Sequence, residues 1–186
     1  MKAAILAAML ALPHGESTAH YPAVAEAIEA ASWRASGDEW KHPAEEMAAA
    51  LVAIAYHESH FSMRIQSGQC RLLQGECDAS KGRGGQMYPR ARSMWQIQKT
   101  YVVMDDYAGI VGASPEALHR AAWAAALVVA HARERCAVTT WARQHWEVPT
   151  LSGYATGYTC SWRRSWGRRA TLRKALAVIE TPQSRP

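Results

Sequence analysis

The stretch that decides the fold is "AAALVAIAYHESHF", residues 48–61. Its first part is a run of small and aliphatic residues that favour a helix and need burial. One helical face then carries, at i, i+4, i+7 and i+11, Met47, Leu51, Ile54 and Glu58. Three of these positions are apolar, so we expect the fourth to point toward surroundings with little water. The segment therefore predicts a buried helix that ends in an acid where an ionised group is costly.

Two interpretations of Glu58 follow from this position. Desolvation and the negative end of the helix dipole both favour the protonated acid, which is the form a general acid needs to give a proton to a leaving oxygen. The alternative is an ordinary helix-end glutamate paired with His57, His60 or an arginine. A metal site on the two histidines is disfavoured, because "HESH" lacks the i, i+4 spacing of the zinc-binding helix.

Composition is typical of one globular domain. The chain has 186 residues, 49% of them apolar and 20% charged, which is enough to bury a core. Eight Trp stand against a single Phe. Indole rings suit core packing, and they equally suit surfaces that grip partly polar ligands such as sugars.

The net charge of +5 is concentrated near the end of the chain, where residues 161–186 carry most of the excess arginine. A basic face favours polyanions such as nucleic acid, anionic membrane or cell-wall polymer; the alternative is a solvated helix face. The sequence has no helix-turn-helix or zinc-finger signature and no Phe/Tyr stacking platform. Nucleic acid is therefore not an expected partner.

The four cysteines are an even set, which suggests disulfides. Four cysteines allow three pairings, and the simplest is the local one, Cys70 with Cys77 and Cys136 with Cys160. If both bridges form, the protein works in an oxidising compartment. A zinc site is the rival interpretation, but the sequence contains no C-x-x-C.

The beginning of the chain has two interpretations. Residues 1–19 contain one Lys, an apolar run and a small-residue stretch, which fits a secretory signal cleaved before His20. Alternatively this segment is a first helix, because Ile5, Met9 and Leu12 recur at helical spacing. The apolar run is too short to span a bilayer, so no transmembrane segment is expected.

The rest of the chain predicts a mostly α fold. Helices are expected over 20–35, from Pro43 to Tyr56, over 94–104, from Ser114 to Cys136, around "VTTWARQHW" and over 165–179. Between 62 and 92 periodicity fails, which predicts a long structured loop stapled by Cys70 and Cys77, with room for a short hairpin. "PTLSGYATGYTC", with Pro and two Gly, is expected to break the helical pattern.

Three short motifs occur in a telling order: "HES" at Glu58, "SMWQI" at 93–97 and "GYATG" at 153–157. In that order they resemble the lytic transglycosylases and goose-type lysozymes of the lysozyme-like superfamily. The resemblance covers residues 20–180 and leaves 181–186 as a tail. It implies a lysozyme-like helical domain. The long, disulfide-stapled loop expected between the catalytic helix and the glutamine-containing turn is longer than in compact members of the family, and its two cysteines are not part of the family's core motif.

The resemblance also implies roles for individual residues. Glu58 would be the catalytic acid, Gln96 the groove amide that contacts the sugar, and Tyr154 the tyrosine that reaches toward the acid. Substrate-binding positions would be Ser59, Ser93, Trp95, Gln96, Ile97, Tyr154 and Gly157. Ser93 replaces the family glycine, which puts the turn geometry in question because glycine admits a positive φ cheaply. Ala155 replaces the usual asparagine, so that contact is lost.

The function implied is cleavage of the β-1,4 bond between N-acetylmuramic acid and N-acetylglucosamine in peptidoglycan. The lytic transglycosylase route, which forms a 1,6-anhydro ring, needs only one carboxylate. Goose-type hydrolysis with the same Glu58 is the alternative, and a non-catalytic wall-binding module is a second one. Glycoside cleavage usually uses two carboxylates. Asp78, Asp105 and Asp106 are the candidates for a second acid, and none of them lies in a motif.

The same resemblance sets the expected context. We expect a monomer that needs no metal or cofactor, has the anionic cell wall as its partner, and acts at the bacterial wall after export or phage delivery. The loop from Cys70 to Tyr88 and Trp95 would line the glycan groove.

Overall fold

The structure is a computed structural model of the whole chain. It describes residues 1–14, 17–38, 42–71, 77, 79–81, 85–89, 91–98, 107–136, 138–156, 160 and 165–181. Within these residues the fold is mostly helical, with α1 Lys2–Leu10, α2 Tyr21–Asp38, α3 Ala44–Ser59, α4 Met63–Gln66, α5 Pro115–Cys136, α6 Thr140–Gln144, α7 Glu147–Thr156 and α8 Trp166–Glu180. Four short strands are β1 Ala79–Lys81, β2 Met87–Pro89, β3 Ala91–Arg92 and β4 Ile97–Gln98.

Helix α3 is the centre of the core. Its residues from Met47 to Ala55 are all buried, and it packs against α2, α5 and α8. A helix that is apolar on every face is stable only when neighbours surround it, and its many alanines let those neighbours approach closely. The helix ends at His60, which adopts the left-handed conformation with φ of 53°; the His60 backbone N–H donates to the Tyr56 carbonyl and the Phe61 N–H to the Ala55 carbonyl. The predicted stripe is confirmed here, since Met47, Leu51 and Ile54 are fully buried.

The first two helices complete one side of the core. In α1, Ile5 and Met9 are fully buried, and the helix packs against α2 and α8. The backbone N–H of Lys2 donates to the Glu29 carboxylate at 2.7 Å. Lys174 donates to the carbonyl of Ala11 at 2.9 Å. Residues Lys2–Leu10 thus form a helix that is packed into the core.

The region between α3 and α5 contains two small hairpins. Strand β1 pairs antiparallel with β2, and β3 pairs antiparallel with β4 across the turn 93–96. The helix predicted over 94–104 is therefore wrong for residues 94–98, and residues 99–106 lie outside the described part of the chain. Met94, Trp95 and Ile97 are buried as a helical stripe would be, but they reach the core from a tight turn. Apolar spacing over so short a segment does not distinguish the two structures.

The C-terminal helices confirm some predictions and correct one. Ser114 caps α5, since its Oγ accepts the Ala117 N–H at 3.2 Å. The segment "PTLSGYAT", expected to break the pattern, instead lies in α7. Gly153 makes this helix possible where it is, because a Cβ at that position would lie 2.9 Å from the Cys136 Sγ and 3.2 Å from the Ala132 Cβ. The glycine thus serves close packing of α7 on α5, and no turn is formed there.

Both disulfides of the local pairing are present, Cys70 with Cys77 and Cys136 with Cys160. The first closes the loop that follows α4, and the second joins the end of α5 to the segment before α8. Among the helices described, none combines the length and the apolar character that crossing a bilayer requires.

Candidate active site

Glu58 lies in the last turn of α3, where the buried stripe of that helix reaches the surface of the core. Its side chain is 19% exposed. The three apolar residues before it on the stripe are fully buried, so the helix delivers this carboxyl to the boundary between core and solvent. The position agrees with the predicted one, except that the carboxyl is more accessible than the positions that precede it.

A cavity of about 170 Å³ opens beside Glu58. The described residues that line it are Glu58, Ala91, Gln96, Ile97, Gln98, Val128, Tyr154 and Ala155. Four of the positions singled out from the sequence therefore meet around one space, although they come from α3, the turn 93–96, β4 and α7. Of these lining residues, Glu58 is the one acid. Asp78, Asp105 and Asp106, the candidates for a second carboxylate, lie outside the described residues.

Arg168 is the closest charged partner of Glu58. Its Nη2 donates to the Glu58 Oε1 at 2.5 Å, and the two side chains are 22% and 19% exposed. This is the arginine pairing that was the alternative interpretation of Glu58. The ionised carboxyl makes an ion pair, whereas a general acid must carry a proton. Arg168 was missed from the sequence because many arginines surround it there and nothing marks which of them folds back over 110 residues.

His57 does not add a positive charge beside Glu58 at neutral pH. Burial lowers the pKa of His57 below its ordinary value of 6.5, and the nearby Arg168 guanidinium lowers it further. The His57 Nε2 shares a hydrogen bond of 2.8 Å with the Thr171 Oγ1 of α8. The neutral imidazole therefore joins α3 to α8, while His60 serves as the left-handed end of α3.

Tyr154 is a buried phenol that ties α7 to the turn. Its hydroxyl donates to the Trp95 carbonyl at 2.6 Å. Burial raises the pKa of Tyr154 well above its ordinary value of 10, and the negative charge of Glu58 raises it further. The hydroxyl therefore stays protonated and remains a donor at any pH near neutrality.

The turn 93–96 is held in a strained conformation. Ser93 has a φ of 65° and Gln96 a φ of 50°, both in the left-handed region that favours glycine. The Ser93 Oγ accepts the Trp95 N–H at 3.3 Å, and the Gln96 Nε2 donates to the Ser93 carbonyl at 3.0 Å. Ser93 thus adopts a left-handed φ that glycine would adopt without strain, at an expected cost of about 1 kcal/mol.

Gln66, a residue that the sequence did not single out, anchors this turn. It is fully buried; its Oε1 accepts the Met94 N–H at 3.1 Å and its Nε2 donates to the Ile110 carbonyl at 2.9 Å. A buried amide with all these bonds made is a rigid connection between separate segments. The sequence signal for it is weak, because Gln66 stands in a polar stretch that reads as surface loop.

Three of the predicted binding residues, Ser59, Ser93 and Trp95, do not line the cavity, and Ser93 is fully buried in the turn. Trp95 is fully buried, and its indole N–H donates to the Leu51 carbonyl at 3.0 Å, so its side chain packs in the core and lines no described cavity. Ser59 is buried and donates to the Ala55 carbonyl of its own helix at 3.1 Å. Gly157 lies outside the described residues.

A second cavity, of about 260 Å³, lies on the other side of Ala91 and Gln96, which line both. Its wall includes the disulfide between Cys70 and Cys77, and the Gln96 Nε2 lies 3.6 Å from the Cys77 Sγ. Cys70 and Cys77 line this second cavity, and Trp95 lines neither of the two cavities.

In the part of the chain that the structure describes, no three His, Cys, Asp or Glu side chains come together as metal ligands would. The chain has no significant match among protein-family models, among curated proteins or among solved structures. The features that bear on function are therefore the three sequence motifs and the geometry around Glu58.

Proposed function

We propose that this protein is a lysozyme-like enzyme that cleaves peptidoglycan glycan strands at the β-1,4 bond between N-acetylmuramic acid and N-acetylglucosamine. One observation carries the proposal: Glu58, Gln96 and Tyr154, each in a different motif and far apart in sequence, line one cavity. These are the residues to which the resemblance assigns acid, amide and tyrosine roles. Chance alignment of three short motifs would not be expected to bring them together in space.

The proposed reaction is that of a lytic transglycosylase. Glu58 first donates its proton to the glycosidic oxygen, so that the bond to the leaving N-acetylglucosamine breaks. The carboxylate then takes the proton of the muramyl C6 hydroxyl, whose oxygen attacks the anomeric carbon and closes a 1,6-anhydro ring. This route needs one carboxylate, which fits a cavity in which Glu58 is the one acid among the described lining residues. In the goose-type alternative, water attacks in place of the C6 hydroxyl.

Arg168 has a defined part in this cycle. Because its guanidinium pairs with the Glu58 carboxylate, Glu58 has to take up a proton and part from Arg168 before the first step. After the proton has passed to the leaving oxygen, the same guanidinium stabilises the carboxylate that remains. Gln96, at the junction of the two cavities, would position the sugar, and Tyr154 would hold the turn that carries Gln96.

The proposed setting is the bacterial cell wall, outside the cytoplasm. Two disulfides support an oxidising compartment. The excess of basic residues in α8 supports contact with an anionic polymer, although its three arginines are themselves paired, Arg168 with Glu58 and the other two with Glu147.

A second candidate is a non-catalytic wall-binding module. The observation that favours it is the pairing of Glu58 with Arg168, since a permanent ion pair would leave no proton to donate. The same cavity would then bind glycan without cutting it.

Digestion of purified sacculi separates these possibilities. Wild type, Glu58→Gln and the matched control Glu134→Gln, which changes an exposed glutamate of α5, are compared by mass analysis of released fragments. We expect anhydro-muropeptides from wild type and control and none from Glu58→Gln. Reducing ends in place of anhydro ends would assign the hydrolytic route, and binding without release by wild type would assign the module. Full activity of Glu58→Gln would contradict the site.

A further inference from the structure

Two tryptophans outside the Glu58 cavity are unusually exposed. Trp141 in α6 is 54% exposed and Trp166, the first residue of α8, is 58% exposed. Both line one pocket of about 270 Å³, together with Val148, Ser165 and Arg169. Single exposed apolar side chains are common, but two indoles that share a concave pocket form a feature typical of ligand sites.

This pocket lies on a different face of α8 from the Glu58 contact. Trp166 and Arg169 are three residues apart and share a face, whereas Arg168 lies about 100° around the helix and reaches Glu58. All three residues fall within one helical turn, about 5 Å along the axis. The two sites therefore depend on neighbouring residues of one helix, and their described lining residues do not overlap.

The polar wall of the pocket is fixed in place. The Arg169 Nε donates to the Glu147 Oε1 at 3.0 Å, and its guanidinium carbon lies 5.8 Å from the centre of the Trp166 ring. Because Glu147 is buried, its bond to Arg169 holds the guanidinium against the protein core. The pocket therefore presents flat indole rings beside a positioned cation.

A pyranose ring matches these walls. It has an apolar C–H face that packs on an aromatic ring and a rim of hydroxyls that bond to polar neighbours, the same division of surfaces that the indoles and Arg169 provide. The positive charge of α8 favours a neutral or anionic ligand over a cationic one. Wall glycans that carry acidic groups have both the pyranose ring and the favoured charge.

We propose that the pocket between Trp141 and Trp166 binds one pyranose unit of a glycan strand, as a second site beside the Glu58 cavity. The choice of peptidoglycan as the polymer rests on the proposed function; the pyranose class rests on the pocket alone. The site holds the enzyme on its insoluble substrate while a neighbouring stretch of the strand lies at Glu58.

The test measures binding without cleavage. In a Glu58→Gln background, titration calorimetry with the N-acetylglucosamine tetrasaccharide and co-sedimentation with sacculi are compared for Trp141→Ala and Trp166→Ala. Trp33→Ala is the matched control, since Trp33 is 56% exposed on α2 and lines no described cavity. We expect each pocket variant to weaken binding by about three- to tenfold, and Trp33→Ala to leave it unchanged.

Phenylalanine variants distinguish the loss of an aromatic binding surface from a loss of folded protein. Trp141→Phe and Trp166→Phe keep an aromatic face and should restore most of the binding that alanine removes. Equal binding by wild type and the alanine variants, or no binding of either probe by the Glu58→Gln protein, would overturn the inference. So would self-association that the same variants abolish without any effect on saccharide, because the pocket would then be the contact for a second copy.

Failure of the inference can be told from failure of the proposed function. If sacculi are not cleaved by wild type but the tryptophan variants still lose binding, the second site stands without the enzyme activity. If cleavage depends on Glu58 while the tryptophan variants bind normally, the enzyme stands without the second site.

Discussion

Two glutamates, Glu58 and Glu147, form salt bridges with arginines of the same helix, α8, but their surroundings differ. Glu147 has a side chain that is 7% exposed, and its Oε1 accepts from Arg169 at 3.0 Å and from Arg173 at 2.7 and 3.2 Å. Glu58 is 19% exposed, and within the described residues it accepts one such bond, from Arg168 at 2.5 Å. One carboxylate is surrounded by fixed donors, while the other faces a cavity.

The difference separates a structural carboxylate from a candidate chemical one. Burial alone would raise the pKa of Glu147, but hydrogen bonds from its own backbone amide, Arg173 and Arg169 outweigh it and lower that pKa. A carboxylate whose pKa is lowered by two arginines is held in the ionised form and links helices together. Glu58 has a single arginine and an open side, so a ligand can compete for it.

The largest effect is expected on catalysis. Glu58→Gln should lower the initial rate of sacculus digestion by on the order of 100-fold or more, because general acid catalysis contributes about 10²–10⁴-fold. Glu147→Gln should lower the rate per folded molecule far less, because its carboxyl lines no described cavity and acts on the second pocket only through the position of Arg169. The check is the release of soluble muropeptides at equal concentrations of folded protein. Similar losses in both variants would remove the distinction between the two glutamates.

The next largest effect is expected on stability, where a change at Glu147 should cost more than a change at the Glu58 pair. Glu147→Gln should cost about 2 kcal/mol in the free energy of unfolding, because two arginines lose a charged acceptor. Arg168→Gln, which breaks the pair at Glu58, should cost about 0.5 kcal/mol, since that pair is partly solvated. Urea unfolding of both variants against wild type measures this. A larger loss for Arg168→Gln would mean that Glu58 is the structural carboxylate.

A pH dependence follows from the lowered pKa of Glu147. A carboxyl whose folded pKa lies below its unfolded value near 4.5 adds stability above that value and loses it as the pH falls through the folded pKa. The stability advantage of wild type over Glu147→Gln should therefore be full at pH 7 and should shrink as the pH falls below about 4.5. Thermal melts at pH 7, 5 and 3 measure it. A constant advantage at all three values would contradict the assignment.

The smallest effect concerns the turn beside Glu58. Ser93→Gly should be about 1 kcal/mol more stable than Ser93→Ala, because both lose the Oγ acceptor while only glycine relieves the left-handed φ. The difference is read from urea midpoints. Equal stability of the two variants would show that the left-handed φ of Ser93 adds no strain to the turn beside Glu58.

Much of the helical fold could be predicted from local signals. The cap at Ser114 and the apolar periodicity after it predicted α5, and the run before Glu58 predicted α3. The predictions for two short segments were wrong. Residues 94–98 and Gly153 had the right residue types for a helix and for a break, and packing made them a turn and a helix instead. In each case a distant residue decided the outcome: Gln66 holds the turn, and Cys136 takes the space that Gly153 leaves.

The acid at the end of an apolar helical stripe could be predicted from the sequence, because periodicity along one helix is a local property that needs no knowledge of neighbours. The groups around that acid could not, because they come from distant parts of the chain. Arg168 comes from 110 residues away, and Gln96 and Tyr154 arrive on other elements. Charge pairing and cavity shape act through space, so the surroundings of Glu58 depend on how the helices pack and not on the residues beside it in the chain.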